Sequence, residues 1–201
     1  DLYNMELGYA AQVSRITGKP LVLRARPSAG YTATKNGQAV CAREDVDRII
    51  NYGLFDDIDL VTIAYGVNDW DDNCVLGSMS DAVTSENTNI IPSMRYVIER
   101  ILATKPTIKI IILMPLNCAK NGNYAGNYGI GYAQSNNGTL EDIYVAFKTV
   151  CEYYGIEYID LMHSSVVNRQ NITTLLPDKV HPSLETHLML ARELSKKINC
   201  F

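Results

Sequence analysis

Residues 59–69, Asp59-Leu60-Val61-Thr62-Ile63-Ala64-Tyr65-Gly66-Val67-Asn68-Asp69, decide how the rest of the chain is read. The first seven are rich in β-branched and apolar side chains, as a strand requires. Gly66 ends the strand, because without a Cβ it lets the chain turn sharply. Working back toward the N-terminus, Val46, Ile49 and Ile50 stand at helical spacing before Gly53. Residues 21–25 (LVLRA) read as a short strand stopped by Pro27 and Gly30, and Tyr9, Val13 and Ile16 mark a helix closed by Gly18-Lys19-Pro20. Working forward, Met94, Val97, Ile98, Ile101 and Leu102 give a helix whose start is set by Pro92. It is followed by a strand at 108–114 and a helix through Ile143, Phe147, Val150, Cys151 and Tyr154. A strand at 157–161 and a last helix through Leu190, Ala191, Leu194 and Ile198 complete the series. Helix and strand alternate from end to end, which predicts an α/β fold with a parallel sheet and helices on both faces. No internal repeat or linker divides the 201 residues, so one domain spanning 1–201 is expected.

Composition narrows the function. Apolar residues make up 47% and charged residues 20%, with a net charge of −4, a balance ordinary for a globular domain. No basic stripe interleaved with aromatics suggests nucleic acid as a partner. The longest apolar run, 108–116, is broken by Lys109 and Pro115 and is too short to span a membrane. Cys41, Cys74, Cys118, Cys151 and Cys200 are odd in number and form no C-x-x-C pair, so neither a zinc site nor a dithiol site is expected. Asn137-Gly138-Thr139 and Asn171-Ile172-Thr173 match the glycosylation sequon, a pattern that also recurs by chance.

In a parallel sheet the loops at the carboxyl ends of the strands line the ligand crevice. Three segments with chemical character follow predicted strands here: 27–30, 66–70 and 115–138. The last is rich in Gly, Asn and Tyr and too long for a plain connector, so it reads as a binding loop. Asn68, just past its strand, has a side-chain amide able to donate to an oxyanion, and the Gly30 N–H could aim at the same atom. Equally, Asn-Asp after a strand is ordinary turn chemistry. Near the C-terminus stands Asp178-Lys179-Val180-His181-Pro182. An Asp three residues before a His can reach Nδ1–H on a tight turn and leave the other ring nitrogen as the base. Pro182 stiffens that turn and keeps His181 extended. His163, after the 157–161 strand, and His187, opening the last helix, are weaker candidates for the base.

Together these segments resemble the SGNH (GDSL-like) hydrolases. Members of that family carry Gly-Asp-Ser near the start, a Gly after the second strand, Gly-x-Asn-Asp after the third, and Asp-x-x-His-Pro near the end. Gly66-Val67-Asn68-Asp69 and Asp178-Lys179-Val180-His181-Pro182 stand in that order. Trp70 and the later Leu76-Gly77 also look like a branch common in Firmicutes and their phages. The resemblance implies a three-layer α/β/α sandwich with a flavodoxin-like sheet and a metal-free, cofactor-free serine esterase. In that reading His181 is the general base and Asp178 its orienter, with Asn68 and the Gly30 amide holding the oxyanion.

One block departs from the pattern, since no Gly-Asp-Ser occurs in residues 1–201. Three accounts fit: the block precedes Asp1; a serine is lost between Asp1 and Leu2; or the chain is a serine-less relative that binds rather than cleaves. The first is the expectation, with a first strand lying between those at 21–25 and 59–65. The expected substrate is a small acyl ester, with an acetylated carbohydrate preferred because Trp70, Tyr124, Tyr128 and Tyr132 suit stacking on sugar rings. A non-catalytic carbohydrate-binding or structural module, as in a phage tail or cell-surface assembly, is the rival.

Overall fold

In a computed structural model, residues 6–37, 39–118 and 133–199 are described. They fall into two compact units. One lies within residues 26–115 and 130–159, the other within 1–25, 116–129 and 160–201.

The first unit is organised by three parallel strands, β1 (Leu60–Ile63), β2 (Lys109–Leu113) and β3 (Glu157–Ile159), in the spatial order β1-β2-β3. The register sets Leu60 opposite Lys109 and Ile63 opposite Ile112. On the other edge it sets Ile111 opposite Glu157 and Leu113 opposite Ile159. The middle strand reads Lys-Ile-Ile-Ile-Leu, and every residue after Lys109 is buried. A strand covered on both faces gains nothing from alternation, so a continuous apolar run is what its position demands. Helices α2 (Ala42–Asn51), α3 (Val67–Asp71), α4 (Ile90–Thr104) and α5 (Leu140–Tyr154) supply the cover. Ile90, Met94, Ile98, Ile143 and Phe147 are fully buried. Between α2 and α4, the Tyr96 hydroxyl donates to Asp47 at 2.7 Å and Arg100 Nε at 2.6 Å. The start of α5 is fixed by a capping box, in which Thr139 and Asp142 each accept the other's backbone N–H. Pro92 lies inside the first turn of α4 rather than at its start, where its missing N–H costs nothing.

The other unit contains α1 (Tyr9–Thr17), the short α6 (Ile172–Leu175) and α7 (Leu184–Ile198). Helix α1 packs on α7. At its start Tyr9 N–H donates to His187 Nδ1 at 3.3 Å, and the two rings stack with centroids 6.1 Å apart. Gly18 closes α1 in the left-handed conformation, φ 70°.

The predicted strand at 21–25 does not form. These residues have no ladder partner among the described residues, and Leu21 and Val22 are 43% and 53% exposed. An extended segment becomes a strand only when neighbours take its backbone donors and acceptors, so apolar composition alone could not make one. The other predicted helices and strands are present, with boundaries shifted by a few residues.

Gly66 is the hinge of the first unit. Its φ is 116°, and a Cβ there would lie 2.7 Å from Phe147 Cε2 and 3.0 Å from Pro115 Cγ. Gly66→Ala combines a forbidden backbone angle with overpacking. It is expected to destabilise the fold by about 2–4 kcal/mol. Denaturant unfolding measures this, and a loss below about 0.5 kcal/mol would contradict the packing described.

Candidate active site

Asp178 and His181 sit on the connection between α6 and α7, and its base is tied shut. Ser183 N–H and Thr186 Oγ1 both donate to Leu175 O, at 2.9 and 2.8 Å, while Lys179 N–H donates to Leu176 O at 2.8 Å. Within the loop, Asp178 Oδ1 accepts the N–H of Val180 at 3.0 Å and of His181 at 2.7 Å. Its other oxygen, Oδ2, lies 2.6 Å from His181 Nδ1. One carboxylate thus folds the turn with one oxygen and orients the imidazole with the other. The contact places the ring proton on Nδ1 and the basic lone pair on Nε2. Partial burial works against ionisation of Asp178. The N–H and ring of His181 and the N–H of Val180 outweigh it, so the carboxyl titrates below its ordinary range. Both side chains are accessible, at 42% for Asp178 and 50% for His181.

A second pair has the same local design. Asp160 Oδ1 accepts the N–H groups of Met162 at 3.0 Å and His163 at 2.9 Å, and Oδ2 lies 3.2 Å from His163 Nδ1. The spacing Asp160-Leu161-Met162-His163 announces it in the sequence. Its ring contact is looser than the 2.6 Å of Asp178–His181, and no proline follows His163. The third histidine, His187, is lowered in pKa, first by burial and then by the charge of His181.

Asn68 and Gly30 belong to the other unit, where the loops at 28–33 and 66–72 are laced together. Asn68 is the second residue of α3, and its Nδ2 donates to Ala29 O at 2.8 Å. Asp69, fully buried, accepts the N–H of Tyr31 at 2.8 Å and those of Thr32 and Ala33 at 2.9 Å each. The expectation that Gly30 N–H serves an oxyanion is corrected, because that group donates to Ala33 O at 3.1 Å inside its own turn. Glycine is required there for a steric reason. A Cβ at Gly30 would lie 2.3 Å from Asp69 Oδ2.

Trp70 is also corrected. At 1% exposure it is a core side chain rather than a stacking platform, since α3 turns it inward beside buried Asp69. Tyr124, Tyr128 and Tyr132 lie outside the described residues. Asn137, read as a sequon, is 2% exposed and donates through Nδ2 to Asp69 O at 3.0 Å, which excludes a glycan on the folded chain. Nor do the cysteines that titrate abnormally offer a replacement nucleophile. Burial raises Cys41, and raises Cys74 and Cys151 to about 12, away from the thiolate form. Among the described residues no group of three or more His, Cys, Asp or Glu is placed to hold a metal, and no helix is long and apolar enough to cross a membrane.

Two outcomes follow from this geometry. Lys179 has φ 75°, which an L-residue adopts only under constraint. Lys179→Gly is expected to stabilise the chain by up to about 1 kcal/mol, and Lys179→Val to cost more than that and to weaken the Asp178–His181 contact. Thermal unfolding together with the proton NMR signal of His181 Nδ1–H reads both effects. For His187 the native pKa lies below the ordinary 6.5, so the native state binds fewer protons than the unfolded chain at acid pH. Its contribution is complete above about pH 6.5 and is lost as pH falls toward the native value. His187→Gln is expected to flatten the fall in melting temperature between about pH 7 and pH 5; an unchanged slope would remove His187 as its source.

Comparisons with known proteins identify the family and the fold. The family model for GDSL-like lipases and acylhydrolases matches residues 1–188. A structure described as a "possible lipase" from Chitinophaga pinensis superposes with a TM-score of 0.70 at 19% identity, covering 96% of this chain and 88% of that one. A member of the lipolytic G-D-S-L family from Veillonella parvula gives 0.62 at 11% identity, covering 99% and 92%. A peptidoglycan O-acetylesterase gives 0.50 at 15% identity over 70% of this chain and 37% of that one. No curated protein matches the sequence. The chain belongs to the GDSL-like lipase/acylhydrolase family and has the SGNH hydrolase α/β fold.

Proposed function

We propose that this protein is a serine-type ester hydrolase acting on a small acyl ester, with an O-acetylated carbohydrate as the substrate class. The observation that carries the reading is the Asp178–His181 contact of 2.6 Å on a loop pinned at Leu175. In this mechanism a serine hydroxyl, delivered by a Gly-Asp-Ser turn that residues 1–201 do not contain, attacks the ester carbonyl. His181 Nε2 takes its proton and Asp178 stabilises the imidazolium. The Asn68 amide, with the serine's own N–H, holds the oxyanion. His181 returns the proton to the departing alcohol, then activates water to free the carboxylic acid and restore the serine.

The carbohydrate preference rests on the tyrosines of the 115–138 segment and on the neighbour described as a peptidoglycan O-acetylesterase. One feature favours a second reading, a carbohydrate-binding module without chemistry: no Gly-Asp-Ser occurs in residues 1–201.

The test is hydrolysis of an acetyl ester, with acetate release followed directly. Residues 1–201 alone are expected to be inactive, and a polypeptide with an apolar strand and Gly-Asp-Ser before Asp1 to be active. In the active form His181→Ala is expected to lower kcat by roughly 10⁴–10⁶, Asp178→Asn by about 10⁴, and Asn68→Ala by about 10²–10³. Binding of an acetylated oligosaccharide without acetate release in either form would establish the binding module instead.

A further inference from the structure

The mechanism uses Asn68 but not its neighbour Asp69, the side chain most deeply committed in this part of the fold. Asp69 is 0% exposed. A buried carboxylate is costly unless hydrogen bonds satisfy it. Burial pushes its pKa up, with the N–H groups of Thr32, Ala33 and Tyr31 pulling it back. Those three donors are consecutive, so the carboxylate fixes the whole turn at 31–33. Gly30 N–H closes the turn on Ala33 O at 3.1 Å, and Ala29 N–H reaches Arg26 O at 3.4 Å. Every backbone N–H from Ala29 to Ala33 is therefore engaged within the protein, and the oxygen this turn offers to the candidate site is Ala29 O. That oxygen receives Asn68 Nδ2 at 2.8 Å. An amide NH₂ has two hydrogens in a fixed plane, so tying one to Ala29 O determines where the other points.

We infer that Asp69 is a positioning residue: by holding the 29–33 turn, it presents Ala29 O to Asn68 and so aims the second Asn68 N–H as the oxyanion donor. The inference rests on the hydrolase reading for its catalytic consequence and on the Asp69 and Ala29 contacts for its geometry. It also explains Gly30, whose Cβ would occupy the place of the Asp69 carboxylate, 2.3 Å from Oδ2.

Two readouts test it. The first needs no hydrolysis. In isotope-labelled residues 1–201, scalar couplings across hydrogen bonds are expected between the 15N nuclei of Tyr31, Thr32 and Ala33 and the 13Cγ of Asp69. A further coupling is expected between Asn68 15Nδ2 and the Ala29 carbonyl carbon. In Asp69→Asn, where a donor replaces an acceptor, the two Asn68 Nδ2 proton signals are expected to merge or broaden. Absence of the Ala29–Asn68 coupling, or unchanged Asn68 signals in Asp69→Asn, would overturn the inference. The second readout is kinetic, in the ester-hydrolysing form. Asp69→Asn is expected to lower kcat about tenfold to a hundredfold with KM little changed, by the scale of oxyanion-donor losses. Combined with Asn68→Ala it is expected to add almost nothing, because both act through one amide. Losses that multiply would mean that Asp69 serves the fold and not Asn68. If no form hydrolyses esters, the functional reading fails while the couplings still decide the positioning.

Discussion

A carboxylate taken out of water must find donors, and at Asp69 they come from three successive peptide groups of a loop 36–38 residues earlier in the chain. This contact joins the loop at 28–33 to the loop after β1, and other features follow from it. Gly30 must lack a side chain because the carboxylate fills that space. Trp70, next in sequence, is carried into the core. Asn137 caps the arrangement by donating to Asp69 O, so the segment leading into α5 is fastened to the same short helix. Beside it, the half-buried Asn68 amide donates to Ala29 O of the same loop.

The Asp178–His181 turn obeys the same economy on a smaller scale. A single carboxylate supplies the Asx turn and the histidine partner, and the strained Lys179 is the conformational cost. That cost, of order 1–3 kcal/mol for a residue held at positive φ, is offset by the bonds to Leu175 and Leu176 at the loop's base. Asp160–His163 shows that the local solution is not confined to one place in the chain. What sets the 178–181 pair apart is its shorter ring contact and the proline that follows.

How much of this was legible in the sequence depends on the range of the interaction involved. Helices with an apolar stripe and a stop signal, such as α1 before Gly18 and α2 before Gly53, were readable because their determinants lie within a few residues. The all-apolar β2 and the Asp-x-x-His turn were readable for the same reason. The segment at 21–25 was not, because a strand exists only through its neighbours. Trp70 was misread because aromatic character says nothing about which way a short helix turns. Gly30 was placed in the right loop with the wrong role, since the carboxylate that dictates it arrives from residue 69. Asp160 was there to be seen three residues before His163.

The central claim, that Asp178 and His181 activate a serine toward esters, is most directly tested by covalent trapping. A chain with the Gly-Asp-Ser block before Asp1, treated with an organophosphonate ester, should gain one phosphonyl group, located by mass spectrometry on that serine. The rate of labelling should collapse when His181 is replaced by Gln. Labelling that is equally fast without His181, or that falls on another residue, would contradict the account.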